Sequence, residues 1–83
     1  MGDVVHASPG ELTASEILAI LDRGDRVVID TTVLGQPRAQ VMRKQNGTYY
    51  CDTSTKLFTH ETKAGMRSCL KRIRLVTPEP TTN

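Results

Sequence analysis

The sequence predicts one small two-layer α+β domain of α-β-β-β-α order, with a three-stranded antiparallel meander sheet. Three observations carry that prediction. Thr13 and Glu16 form a T-x-x-E capping box that opens a helix, and Gly24 supplies its left-handed stop. Asn46-Gly47, the strongest short hairpin signal, separates two stretches of strand character. Met66, Cys69, Leu70 and Ile73 then recur at i, i+3, i+4 and i+7, the packing face of a second helix.

Residues 1–10 contain Gly2, Pro9 and Gly10 and read as a loose N-terminal arm. The first helix is expected over about 14–23. Leu12 and Ile17 staple its start, and Ile17, Leu18, Ile20 and Leu21 form its buried face. Residues 26–34 are rich in β-branched types and read as the first strand. Gly35-Gln36 suits a two-residue turn, and Pro37 is tolerated only at a strand's start, which places the second strand at about 38–45. The third follows at about 48–52. Residues 53–58 read as a polar connector whose Leu57-Phe58 pair plugs the core edge. Thr59 is the expected N-cap of a second helix over about 60–74. The domain thus spans 11–76, and the Pro- and Thr-rich residues 77–83 read as a disordered tail.

These turns fix a register. Met42 is expected opposite Cys51, Arg43 opposite Tyr50, Ile29 opposite Met42, Val28 opposite Arg43, and Asp30 opposite Val41. One face then carries Val27, Ile29, Thr31, Val33, Met42, Tyr49 and Cys51, and being the more apolar it is placed under the helices. The other carries Val28, Asp30, Thr32, Val41, Arg43, Tyr50 and Asp52.

A chain of 83 residues supports one domain of modest burial, and such domains often gain the missing burial by oligomerising. No apolar run approaches the roughly 20 residues of a membrane span. No basic stretch followed by an apolar run marks a secretory signal, so a cytoplasmic location is expected. Cys51 and Cys69 lack C-x-x-C spacing and read as free, partly buried thiols. The net charge of +2 is unevenly placed. Residues 1–30 hold six acids against Arg23 and Arg26, whereas residues 56–74 hold six bases against Glu61. A directed surface field, or charge pairing within the fold or a dimer, would account for this asymmetry.

No motif identifies a reaction. His60-Glu61 begins like a zinc-protease helix, but Ala64 stands where the second His is required. Cys51, His60, Cys69 and His6 are too widely spaced for a structural zinc site, so no metal or cofactor is expected. Asp30 and Asp52 flank Val41 in this register, and as solvated carboxylates they are expected to pair with Arg43 on a flat face that offers no acid–base cleft.

Two surfaces remain. Val28, Val41 and Tyr50 would be stranded in water on the outer sheet face, which makes Val28, Asp30, Val41, Arg43, Tyr50 and Asp52 the expected protein interface, most simply of a symmetric homodimer. Lys63, Arg67, Lys71 and Arg74 form one helical stripe, and the alternative is a nucleic-acid-binding regulator that neutralises phosphates with it. Against that alternative, aromatic residues are few and no helix-turn-helix is evident. A non-enzymatic interaction module is therefore the first expectation, with a copy of itself or another protein as partner and no membrane.

The string Tyr49-Tyr50-Cys51-Asp52-Thr53, followed by His60-Glu61 and by Met66-Arg67-x-Cys69, resembles a group of small uncharacterised haloarchaeal proteins over most of residues 12–75. The resemblance implies the same αβββα layout and carries no activity to transfer.

Overall fold

The computed structural model describes residues 2–53, 56–72 and 76, the side chain of Val33 excepted. Ile73, Arg74 and the expected tail over 77–83 lie outside the described residues. The fold is α+β, with a mixed five-stranded sheet where three antiparallel strands are predicted. Its order is β1 (Val4–Ala7), α1 (Ala14–Asp22), β2 (Arg26–Val33), β3 (Gln36–Gln45), β4 (Thr48–Asp52), β5 (Leu57–His60) and α2 (Lys63–Arg72). The strands lie in chain order, β1-β2-β3-β4-β5. Among the described strands, β1 and β2 pair in parallel and the other neighbours antiparallel. A parallel pair needs a crossover, and α1 provides it, so residues 4–33 form a β-α-β unit.

The first helix forms for the reasons read from its sequence. The Thr13 hydroxyl accepts from the Glu16 backbone N–H at 3.1 Å, and the Glu16 carboxylate accepts from the Thr13 N–H at 2.9 Å. Gly24, at φ +91°, ends the helix by donating to the Leu21 carbonyl. Ile17, Leu18, Ile20 and Leu21 are all buried, as the periodicity requires.

Three corrections concern the sheet. The stretch read as a loose arm contains β1, whose Val5 and Ala7 pack into the core. The stretch read as a connector and helix start contains β5, with Phe58 opposite Cys51 and half-buried at the core edge. The second helix accordingly begins three residues later than expected, and Thr62 rather than Thr59 caps it, its hydroxyl accepting from the Gly65 N–H at 3.0 Å.

The third correction is the turn between β2 and β3. It is Leu34-Gly35, closed by the Val33–Gln36 pair, and not Gly35-Gln36. Both turn residues have positive φ, +51° and +79°, the signature of a type I′ hairpin, as do Asn46 and Gly47 at +52° and +80°. Val27 consequently opposes Met42, Val28 opposes Val41, Ile29 opposes Gln40 and Asp30 opposes Ala39. The slip is two residues, so each side chain keeps its face; a slip of one would have inverted them all. Leu34 occupies a left-handed conformation that favours Gly or Asn, and it is 98% exposed. Leu34→Asn is therefore expected to stabilise the fold by about 1 kcal/mol in urea unfolding.

Both helices cover one side of the sheet. The core joins Ala14, Ile17, Leu18, Ile20 and Leu21 of α1 and Met66 and Leu70 of α2 to Ala7, Val27, Ile29, Met42, Tyr49 and Cys51 of the sheet. Each fully buried aliphatic side chain stabilises the fold by about 1.5–3 kcal/mol. Among the described residues, the opposite side of the sheet carries no helix.

Candidate functional site

Register dictates what that uncovered side displays. Because neighbours alternate along each strand, the paired outer residues fall into rows that cross the sheet. One row is His6, Val28, Val41, Asp52 and Leu57. In the adjacent row, Val4 opposes Arg26 across β1 and β2, and Arg43, Tyr50 and Thr59 are paired across β3, β4 and β5. Asp30 and Ala39 begin a third.

All six predicted interface residues therefore share one face. Val28 and Val41 are direct cross-strand partners at its centre, each half-buried. Tyr50 is half-buried beside them. The Arg43 guanidinium carbon lies 4.7 Å from the centre of the Tyr50 ring, in cation–π contact. This replaces the expected pairing of Arg43 with the two aspartates. Asp30 instead lies 3.5 Å from Nδ1 of His6, both side chains 65% exposed. Asp52 is exposed opposite Val41 and makes no ion pair among the described residues. The two carboxylates do not flank Val41, since Asp30 now opposes Ala39.

Sequence reasoning missed the contributions of β1 and β5. His6 sits beside Val28, while Val4 and Leu57, 50% and 48% exposed, extend the apolar surface toward both edges. The signal for β1 was the Val4-Val5 pair ahead of a strongly capped helix, the pattern of a β-α-β unit.

The basic stripe is partly spent inside the fold. Lys63 Nζ is 2.6 Å from the Asp22 carboxylate. Arg67 donates to the Ser15 hydroxyl at 2.8 Å. Lys71 is exposed in the last turn of α2, and Arg74 lies outside the described residues. Asp22 also accepts from the Tyr49 hydroxyl at 2.7 Å and from Lys44 at 3.2 Å. Lys63 first, then Tyr49 and Lys44, hold its carboxyl down to about 2. Part of the charge asymmetry is thus pairing between α1 and its neighbours.

Cys51 and Cys69 are both buried and free. Burial, with smaller contributions from Cys69 and Asp52, pushes the Cys51 thiol up to about 12, and burial also raises Cys69. Both shifts suppress the thiolate a nucleophile requires. His60 closes β5 instead of opening a helix, so His60-Glu61 has no zinc-protease context. Among the described residues, no group of three or more His, Cys, Asp or Glu side chains is placed to hold a metal ion. Among the same residues, no helix is long and apolar enough to cross a membrane.

A family model described as a family of unknown function (DUF8001) matches residues 1–78. No curated protein and no solved structure matches the chain.

Proposed function

The chain belongs to the family of unknown function DUF8001, and we propose that it is a non-enzymatic interaction module that forms a homodimer through the outer face of its sheet. The observation that carries this reading is the Val28–Val41 pair on a sheet face that no helix covers among the described residues, bordered by Tyr50, Val4 and Leu57. An antiparallel sheet tolerates one solvated face when that face is polar. Here its centre is apolar, and contiguous apolar surface on a small domain marks an interface.

Charge selects a second copy as the occupant. The face carries Arg43 on one side of the valine pair and Asp30 and Asp52 elsewhere around it, and neither Arg43 nor Asp52 has an ion-pair partner among the described residues. A two-fold axis through the patch offers the carboxylates of one copy to Arg43 of the other, the self-complementarity that a symmetric interface needs. The cytoplasmic location belongs to the same proposal and rests on two thiols held free. A haloarchaeal source rests on the resemblance of the Tyr49–Thr53 string alone.

Light scattering is expected to give twice the chain mass. Tyr50→Asp would place a charge beside the central valine pair of the interface and is expected to weaken self-association by at least about a hundredfold, with the circular dichroism spectrum retained. A wild-type monomer at high concentration would overturn the reading. The nucleic-acid alternative has less support, because Lys63 and Arg67 are engaged with α1.

A further inference from the structure

Beyond the Val27–Met42 pair, the next residues along β2 and β3 are Arg26 and Arg43, which the register sets opposite each other on the outer face. Like charges directly opposite on adjacent strands repel. Neither arginine makes an ion pair among the described residues. The cation–π contact with Tyr50 fixes the plane of the Arg43 guanidinium and leaves its charge in place.

Both arginines line a groove of about 380 Å³, together with Val4, Gly24 and Gln45. The acid in its lining, Asp25, is already committed. One of its oxygens accepts from the Asp3 backbone N–H at 3.0 Å and the other from the Arg23 guanidinium at 3.1 Å. Lys44 also lines the groove, but its ammonium group is engaged with Asp22. The groove is therefore a positively charged depression with apolar Val4 in its lining.

The geometry points to this groove as a binding site for a small phosphate-bearing molecule, its dianion held between the Arg26 and Arg43 guanidinium forks. Guanidinium donors match phosphate oxygens two at a time, and two cations balance a dianion. The volume lies within the range of small-ligand pockets, and Val4 offers contact to the uncharged part of such a ligand. The groove shares Arg43 with the proposed dimer face, whereas Arg26 lies outside the six residues assigned to that interface, so Arg26→Gln tests the groove without altering an assigned dimer residue.

Phenyl phosphate titrated into the full chain at constant ionic strength, followed by amide NMR, tests this. Saturable shifts are expected at Gly24, Arg26, Arg43 and Gln45, with a Kd in the millimolar range or tighter. Arg26→Gln is expected to weaken binding at least about tenfold, and Arg38→Gln, which alters an exposed arginine outside the groove, to leave it unchanged. Should Arg26→Gln fail to fold, Arg43→Gln carries the same expectation. Benzoate bound as tightly as phenyl phosphate, shifts that never saturate, or unaltered affinity in the folded arginine variants would each overturn the assignment. Retention of the wild-type solution mass by Arg26→Gln, alongside lost phosphate binding, would support the groove assignment independently of self-association.

Discussion

Deleting residues 1–8 is expected to destabilise the domain by about 3 kcal/mol or more, lowering Tm by at least roughly 12 °C. The deletion removes Val5 and Ala7 from the core. It strips the parallel ladder from Val4–Arg26 to Ala7–Ile29. It also uncovers Val27 and Ile29, both fully buried, along a newly exposed edge of β2. A long, flat edge rich in β-branched residues templates pairing with other chains, so concentration-dependent aggregation should accompany the lost stability. Thermal unfolding followed by circular dichroism reads the first effect and light scattering the second. A truncated chain with the full-length Tm would return residues 1–10 to the loose arm that their composition suggests.

That contrast shows which parts of this fold are readable locally. The first helix is written in residues that touch one another, namely Thr13 with Glu16 and then the stop at Gly24. Asn46-Gly47 likewise encodes its hairpin within two residues, and the β3–β4 register follows directly. Strands β1 and β5 are four residues each and owe their existence to a neighbour rather than to propensity. The partner of β1 lies some twenty residues downstream, beyond a helix, and the short Val4-Val5 signal becomes a strand only through that distant pairing. Thr59 and Thr62 are both plausible caps, and only the pairing of Thr59 with Tyr50 decides between them. The position of the β2–β3 turn is ambiguous in sequence because Gly35 suits the first position of a type II′ turn as well as the second of a type I′. A leucine at φ +51° is an improbable choice for the remaining position.

The composition of the outer face is independent of that turn ambiguity for a geometric reason. A two-residue slip conserves the pleat, so Val28, Val41 and Tyr50 stayed together while their opposite numbers changed. What the slip did change was chemistry. It moved Asp30 away from Val41, opposite Ala39 and within reach of His6, and it brought Val28 against Val41. Arg26 became visible as a neighbour of Arg43 only through the observed register.

Asp22→Ala is expected to cost about 2 kcal/mol at neutral pH, a large loss for a side chain that keeps 29% of its surface exposed. Its position explains why. Asp22 is the last residue of α1, where the helix dipole disfavours a negative charge. The site is stable because Lys44 of β3, Tyr49 of β4 and Lys63 of α2 converge on the one carboxylate. Truncation leaves two lysines facing one another without a counter-charge and a part-buried tyrosine hydroxyl without its acceptor. The pH dependence follows from the direction of the shift. The carboxyl is held down to about 2 in the folded chain against an ordinary 3.8. Its contribution is therefore fully present above about pH 4, and it is lost as pH falls through 2. Urea midpoints for wild type and Asp22→Ala should thus differ at pH 6 and converge toward pH 2. A constant difference across that window would mean that the side chain acts through packing rather than charge. Asp22→Asn keeps an acceptor for Tyr49 but not the charge, and it should fall between the two. The same substitution frees Lys63 for the stripe on α2. If folded Asp22→Asn gains salt-sensitive affinity for nucleic acid that the wild type lacks, the internal pairing of Lys63 is what keeps that surface closed to phosphate.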